Sequence, residues 1–247
     1  MSWETIVYLG LGAAAGGFIN GLSGTGTALF ALGFFLLVLD PQTSVAIVAL
    51  MSVLVGLQGL WIVRGTIFAH PRRLLRFMLP GLVGVPLGVT LLDVINASTL
   101  RIAIAGFLIV YGGYFGLRSA LPAIAQRTPL IDASVGLLGG ILGGAAAVSG
   151  ALPAMWCSVR AWTKAETRAV LQPYNVAILG TTVGLLALKG AYNQTTLNAL
   201  LVTLPIGFLA AQVGIFVFGK LTDTQFRRLL ILLIFAMGLG ILISELT

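Results

Sequence analysis

Charge is scarce in this chain. Lys, Arg, Asp and Glu together make up 9% of its 247 residues, whereas 58% are hydrophobic. A soluble domain carries about 25% charged residues, so the composition excludes one and predicts an all-α integral membrane protein with the lipid bilayer as its surroundings. Histidine and cysteine occur once each, at His70 and Cys157. A single thiol excludes an internal disulfide, and one of each excludes a His/Cys metal cluster, so neither a metal nor another cofactor is expected. The seven acidic residues (Glu4, Asp40, Asp93, Asp132, Glu166, Asp223 and Glu245) fall at the ends of apolar runs or between them. Cation pathways and proton relays place carboxylates within the membrane. Their position therefore argues against cation transport, and against an intramembrane enzyme, which needs a base or a metal. No basic residue precedes the first apolar run, so the first segment is read as part of the mature chain rather than as a signal peptide.

The net charge is +7, but the basic residues lie between apolar runs, where they orient a membrane protein. With no basic stripe interleaved with aromatics, nucleic acid is not an expected partner. Nothing in the sequence indicates an oligomer.

Eight apolar stretches can be read: 5–39, 45–63, 77–92, 102–117, 133–159, 169–188, 198–218 and 229–243. They form two copies of a four-segment unit, 1–122 and 123–247, together making one integrated membrane domain. An offset that sets Gly16 on Gly139 also sets Gly21 on Gly144 and Ala46 on Ala169. Short slips then bring Arg64-Gly65 onto Lys189-Gly190 and Arg101 onto Arg227. A crossing needs about 20 residues, so the first and fifth stretches are too long, and both are interrupted by small and polar residues. The interruptions are Asn20 to Thr27 and Gly143 to Pro153.

Loop charge bears on the topology. If every stretch crosses once, the 14 basic residues divide evenly between the faces. If stretches one and five instead return to their own side, all but Arg101 and Lys189 fall on one face. The positive-inside rule then favours two inverted repeats with broken, re-entrant first segments and both termini outside. Eight plain crossings are the alternative.

Hairpins entering from opposite faces would bring their elbows together near the midplane. Half-helix N-termini expose unpaired N–H groups and partial positive charge. Asn20, Ser23, Gly24, Thr25, Gly26 and Thr27 in one elbow and Ser149, Gly150 and Ala151 in the other are the expected binding residues. Together they could hold a small oxyanion without a full positive charge in the membrane. Plain helix packing by small residues is the competing account. Gln172, Tyr174 and Asn175, in the span after the second hairpin, are expected nearby, with Gln58 and Gln212 as weaker candidates. Arg160, Lys164 and Arg168 read first as topology determinants and second as an anion-attracting mouth. Trp61, Trp156 and Cys157 read as packing residues.

Gly17-Phe-Ile-Asn-Gly-Leu-Ser-Gly-Thr-Gly26, the run from Gly140 to Pro153 and Lys164-Ala-Glu-Thr-Arg168-Ala-Val-Leu resemble the sulfite exporter TauE/SafE family, the toluene-sulfonate uptake permease group. The resemblance spans nearly the whole chain. This sequence has Thr25 and Thr27 in one elbow and Ala151-Leu152 in the other, where the family more often has Gly-Gly-Gly and Gly-Pro-Pro. The resemblance implies a carrier in the bacterial inner (cytoplasmic) membrane, with a small sulfur-containing anion such as sulfite or a short organosulfonate as substrate. Alternating access around a midplane site is the expected mechanism. An anion channel, or a carrier of another small anion or of a neutral solute, is the alternative.

Overall fold

The computed structural model describes residues 2–91, 97–117 and 123–246, which form ten helices and no strand. In chain order they are α1 (Trp3–Ser23), α2 (Thr27–Phe35), α3 (Pro41–Ala69), α4 (Pro71–Leu91), α5 (Ala97–Gly116), α6 (Pro129–Ala146), α7 (Ala151–Ser158), α8 (Lys164–Leu188), α9 (Gln194–Lys220) and α10 (Asp223–Leu246). Among the described residues, α1, α3, α4, α6, α8 and α9 are long and apolar enough to cross a membrane.

The over-long first stretch is two helices. α1 ends at Gly24 and α2 begins after Gly26, both glycines lying in the left-handed region with φ of 84° and 92°. Such angles strain any residue with a Cβ. The fifth stretch breaks likewise between Ala146 and Ala151, with Ala147 at φ 55°. In each pair the second helix folds back on the first. Gly12 faces Phe35 while Gly16 faces Thr27 and Ala31; Gly139 faces Pro153 while Gly143 faces Ser149. With 9 and 8 residues, α2 and α7 span about 12–14 Å, less than half of a ~30 Å hydrocarbon core.

Helix directions follow from which residues meet. Gly17 abuts Gly207 and Gly21 abuts Ala211, so α1 and α9 run parallel; Met51 abuts Gly207 and Gln58 meets Gln212, so α3 runs with them. Gly136 abuts Phe77, Gly140 abuts Gly81 and Gly144 abuts Val85, so α4 and α6 run parallel. α8 shares their direction, since Tyr174 reaches Gly136 and Thr182 reaches Gly143. α3 and α8 are antiparallel: Gly59 meets Arg168, Gly56 meets Val176, and Ala46 O accepts from Tyr192. The antiparallel partner of α5 is α10, with Gly112 against Phe235 and Gly238 against Ala105. Backbones this close are held by dispersion and by small side chains, as suits helices with no water to expel.

Polarity is arranged opposite to that of a soluble protein. Leu57, Leu79, Val83, Leu201, Leu209 and Phe216 are exposed, while Asn20, Ser23, Thr25, Ser149, Gln172 and Asn175 are buried. Several basic residues expected in loops sit in the first two turns of helices instead: Arg72, Arg73 and Arg76 in α4, Lys164 and Arg168 in α8. Arg118 lies outside the described residues.

Candidate functional site

The two elbows touch. A Cβ added to Gly150 would stand 1.6 Å from Thr25 Oγ1, so only glycine permits this approach. Both hydroxyls at the junction converge on one amide: Ser149 Oγ donates to Asn175 Oδ1 at 2.7 Å, and Thr25 Oγ1 donates to the same oxygen at 3.4 Å. The Asn175 amide nitrogen is buried with no acceptor in reach. Here α2 and α7 both start, each without a side-chain cap. Helices α1, α3, α8 and α9, by contrast, are capped by Ser2, Asp40, Thr163 and Asn193. Two helix N-termini and a spare amide make the junction rich in donors.

Beside it runs a second polar chain. Asn20 Nδ2 donates to Thr27 Oγ1 at 2.7 Å and to Ser52 O at 3.2 Å, bracing the first elbow against α3. Gln172 Nε2 donates to Asn20 Oδ1 at 3.2 Å and to Gly56 O at 2.9 Å. Gln172 Oε1 in turn accepts from Arg168 Nε at 3.2 Å. Arg168, Gln172 and Asn175 follow the i, i+4, i+7 spacing that places them on one face of α8.

Arg168 is fully buried, its Nη1 and Nη2 having no acceptor. An uncompensated ion in the interior costs several kcal/mol. A binding site built from dipoles alone is therefore an incomplete description, because a guanidinium lies beside the first elbow.

The remaining expected residues are placed as follows. Gly24 packs against Gln172 and Arg168. Ser23 turns its hydroxyl back to Ile19 O and Thr25 O. Ala151 is buried at the start of α7. Tyr174 donates to Gly136 O at 2.6 Å and so fastens α8 to α6 rather than bonding Asn175 or Thr25. Lys164 Nζ donates to Phe218 O at 2.9 Å and also to the carbonyls of Gly219 and Leu221, capping the end of α9. Arg160 is buried between Trp156 and Trp162, with Nη1 on Thr128 Oγ1 at 2.9 Å. Gln212 donates to Gln58, joining α9 to α3. Trp61 is exposed beside Arg64, Trp156 donates to Asp132, and Cys157 is buried.

α3 supplies parts that the sequence did not advertise: the carbonyls of Ser52 and Gly56, and the gap left by Gly59 beside Gln172 and Arg168. The Gly56-x-x-Gly59 spacing was the available signal. A family model described as "Sulfite exporter TauE/SafE" matches residues 8–241. The chain belongs to this family. It is accordingly a multi-pass membrane transporter, and both elbows of this TauE/SafE chain fall within the matched segment. No curated protein and no solved structure matches the chain.

Proposed function

We propose that this TauE/SafE protein is a secondary carrier of a small sulfur-containing oxyanion, sulfite or a short organosulfonate. The anion is held where the elbows meet and is exposed to each side of the bacterial inner membrane in turn. One observation carries the reading: two uncapped helix N-termini and the acceptorless Asn175 amide converge at the Thr25–Gly150 contact. Donors without acceptors suit an anion. Asn20, Ser23, Gly24, Thr25, Gly26, Thr27, Ser149, Gly150, Ala151, Gln172 and Asn175 form or brace this site, and Tyr174 supports it by tying α8 to α6.

Two inverted repeats, 1–122 and 123–247, account for the helix directions. α1 runs with α3 and against α6, while α6 runs with α8, so each short helix returns toward the side its hairpin came from. The pairings match across the repeats: α3 meets its equivalent α8 and α5 its equivalent α10, while the α1–α9 pair in one place corresponds to the α6–α4 pair in the other. With this topology only Arg101 and Lys189 lie on the outer face, in keeping with the positive-inside rule.

The orientation predicts labelling. Cysteine at Lys189, which is exposed, is expected to react with an impermeant maleimide added to intact cells. Cysteine at exposed Thr224 is expected to react only after the membrane is opened. The reverse pattern refutes the orientation. For transport, purified protein in liposomes loaded with sulfite is expected to show saturable counterflow of labelled sulfite, competed by short sulfonates. Conductance without counterflow would make the protein a channel.

A further inference from the structure

The offset that superimposes the two sequence units sets Val45 on Arg168. One half therefore carries a cation where the other carries a hydrocarbon, and the pseudo-symmetric site is electrically lopsided. We propose that Arg168 is the charge-bearing donor of an oxyanion subsite on the cytoplasmic flank of the first elbow, with Nη1 and Nη2 presented as a two-point fork. The inference rests on the carrier reading above and adds a specificity-determining residue to it.

The surroundings fit a fork held ready. Nε is occupied by Gln172 Oε1, which fixes the plane of the group and leaves the two outer nitrogens without an acceptor. A Cβ on Gly59 would lie 2.7 Å from Nη2, so the glycine makes the space. The stem lies against Gly24, and the Phe218 ring stands 4.5 Å from the guanidinium carbon, closing the far side. Among the described residues no carboxylate pairs with it. Glu166, two residues earlier on the same helix, is taken by Arg73 at 2.7 Å and by the Thr163 amide. Neighbouring Lys164 is spent on the carbonyls of α9. A planar guanidinium recognises two oxygens of one oxyanion in a way that neither an ammonium nor an amide reproduces. Halides, with one centre, gain less from the fork.

The test is calorimetric titration of sulfite, sulfate and chloride into the full-length protein in phosphate-free detergent, which leaves out lipid headgroups as the source of anion. Arg168→Gln is expected to weaken sulfite and sulfate by about 10- to 100-fold. Arg168→Lys, which keeps the charge and loses the fork, is expected to lose about tenfold for the oxyanions with little change for chloride. Melting temperature separates binding from architecture: removing an unpaired buried ion is expected to leave it unchanged or raised. Lowered melting with an unaltered sulfite-to-chloride ratio would make Arg168 structural and overturn the proposal. Wild-type affinity for sulfite in Arg168→Gln would overturn it as well. If the wild-type protein binds none of these anions, the carrier reading falls along with it. If the wild-type protein binds sulfite and Arg168→Gln binds it equally well, the elbow site stands without the fork.

Discussion

Gly150→Val is expected to abolish anion counterflow while the protein still inserts into the membrane. The reason is local. Gly150 has an ordinary helical backbone, φ −87° and ψ −8°, so valine strains nothing in its own residue. The collision lies across the junction, where the new Cβ would sit 1.6 Å from Thr25 Oγ1 and 2.6 Å from Thr25 Cβ. Either the elbows separate or both hairpins shift, and in each case Ser149 and Thr25 no longer reach Asn175 together. A fall of at least 100-fold in rate corresponds to about 2.7 kcal/mol on the barrier, which is within reach of overpacking at a tight contact. Gly26→Val is expected to produce the same loss by a different route, through a φ of 92° that a β-branched residue resists. A control separates collision from lost chemistry: Gly150→Ala with Thr25→Gly removes the clashing atoms and is expected to recover more counterflow than Gly150→Ala alone. Unimpaired transport by Gly150→Val would remove the elbow contact from the transport route.

The position of these elbows was legible because two independent rules agreed. Thr5 to Leu39 is too long for one crossing, and only its middle contains Gly24-Thr25-Gly26. The structure breaks the helix at those residues. The second break, between Ala146 and Ala151, was legible from the excess length of stretch 133–159 and its interruption from Gly143 to Pro153. Its equivalence to the first supported it, although Ala145-Ala146-Ala147 alone favours helix. The fate of the cations could not be read. Lys164 and Arg168 are four residues apart near the start of one apolar run. Lys164 points to the end of α9, and Arg168 is enclosed by α3, α9 and the first elbow. That difference is set by which helices pack there, a tertiary fact that the spacing of charges along one chain does not contain. Tyr174 illustrates the same limit. It stands beside Asn175 in sequence, but one residue around a helix turns it by about 100°, and its hydroxyl meets α6 instead of the junction.

Gly140→Leu is expected to cause the largest loss of stability, and Gly180→Ala none. Both glycines lie inside helices, so propensity treats them alike. Their surroundings do not. A Cβ on Gly140 would lie 2.0 Å from Gly81 O, with the Gly81 carbonyl carbon and Cα at 2.7 and 2.8 Å. Those are backbone atoms of α4, which cannot swing aside as a rotamer can. A Cβ on Gly180 would meet nothing within 4 Å beyond its own stretch of helix. Leucine at 140 therefore separates α4 from α6 over the Gly136–Gly144 contact. Overpacking costs about 1–3 kcal/mol and occasionally more, equivalent to about 2–12 °C of melting temperature for a chain of this size. Alanine at 180 is expected to hold or raise the melting temperature, because a helical glycine is disfavoured by about 0.5–1 kcal/mol relative to alanine. Thermal unfolding in detergent distinguishes the two, and equal behaviour would contradict the close α4–α6 packing. The same interface constrains the transport movement. α6 begins the second sequence unit but is packed backbone to backbone against the third long helix of the first, and α1 is packed likewise against α9. Two sequence halves exchanged in this way cannot part along the boundary near residue 122. Under the proposed alternating access, the bodies that rock are then expected to be α1–α2 with α9 and α6–α7 with α4, and a disulfide joining α1 to α9 is expected to leave counterflow intact.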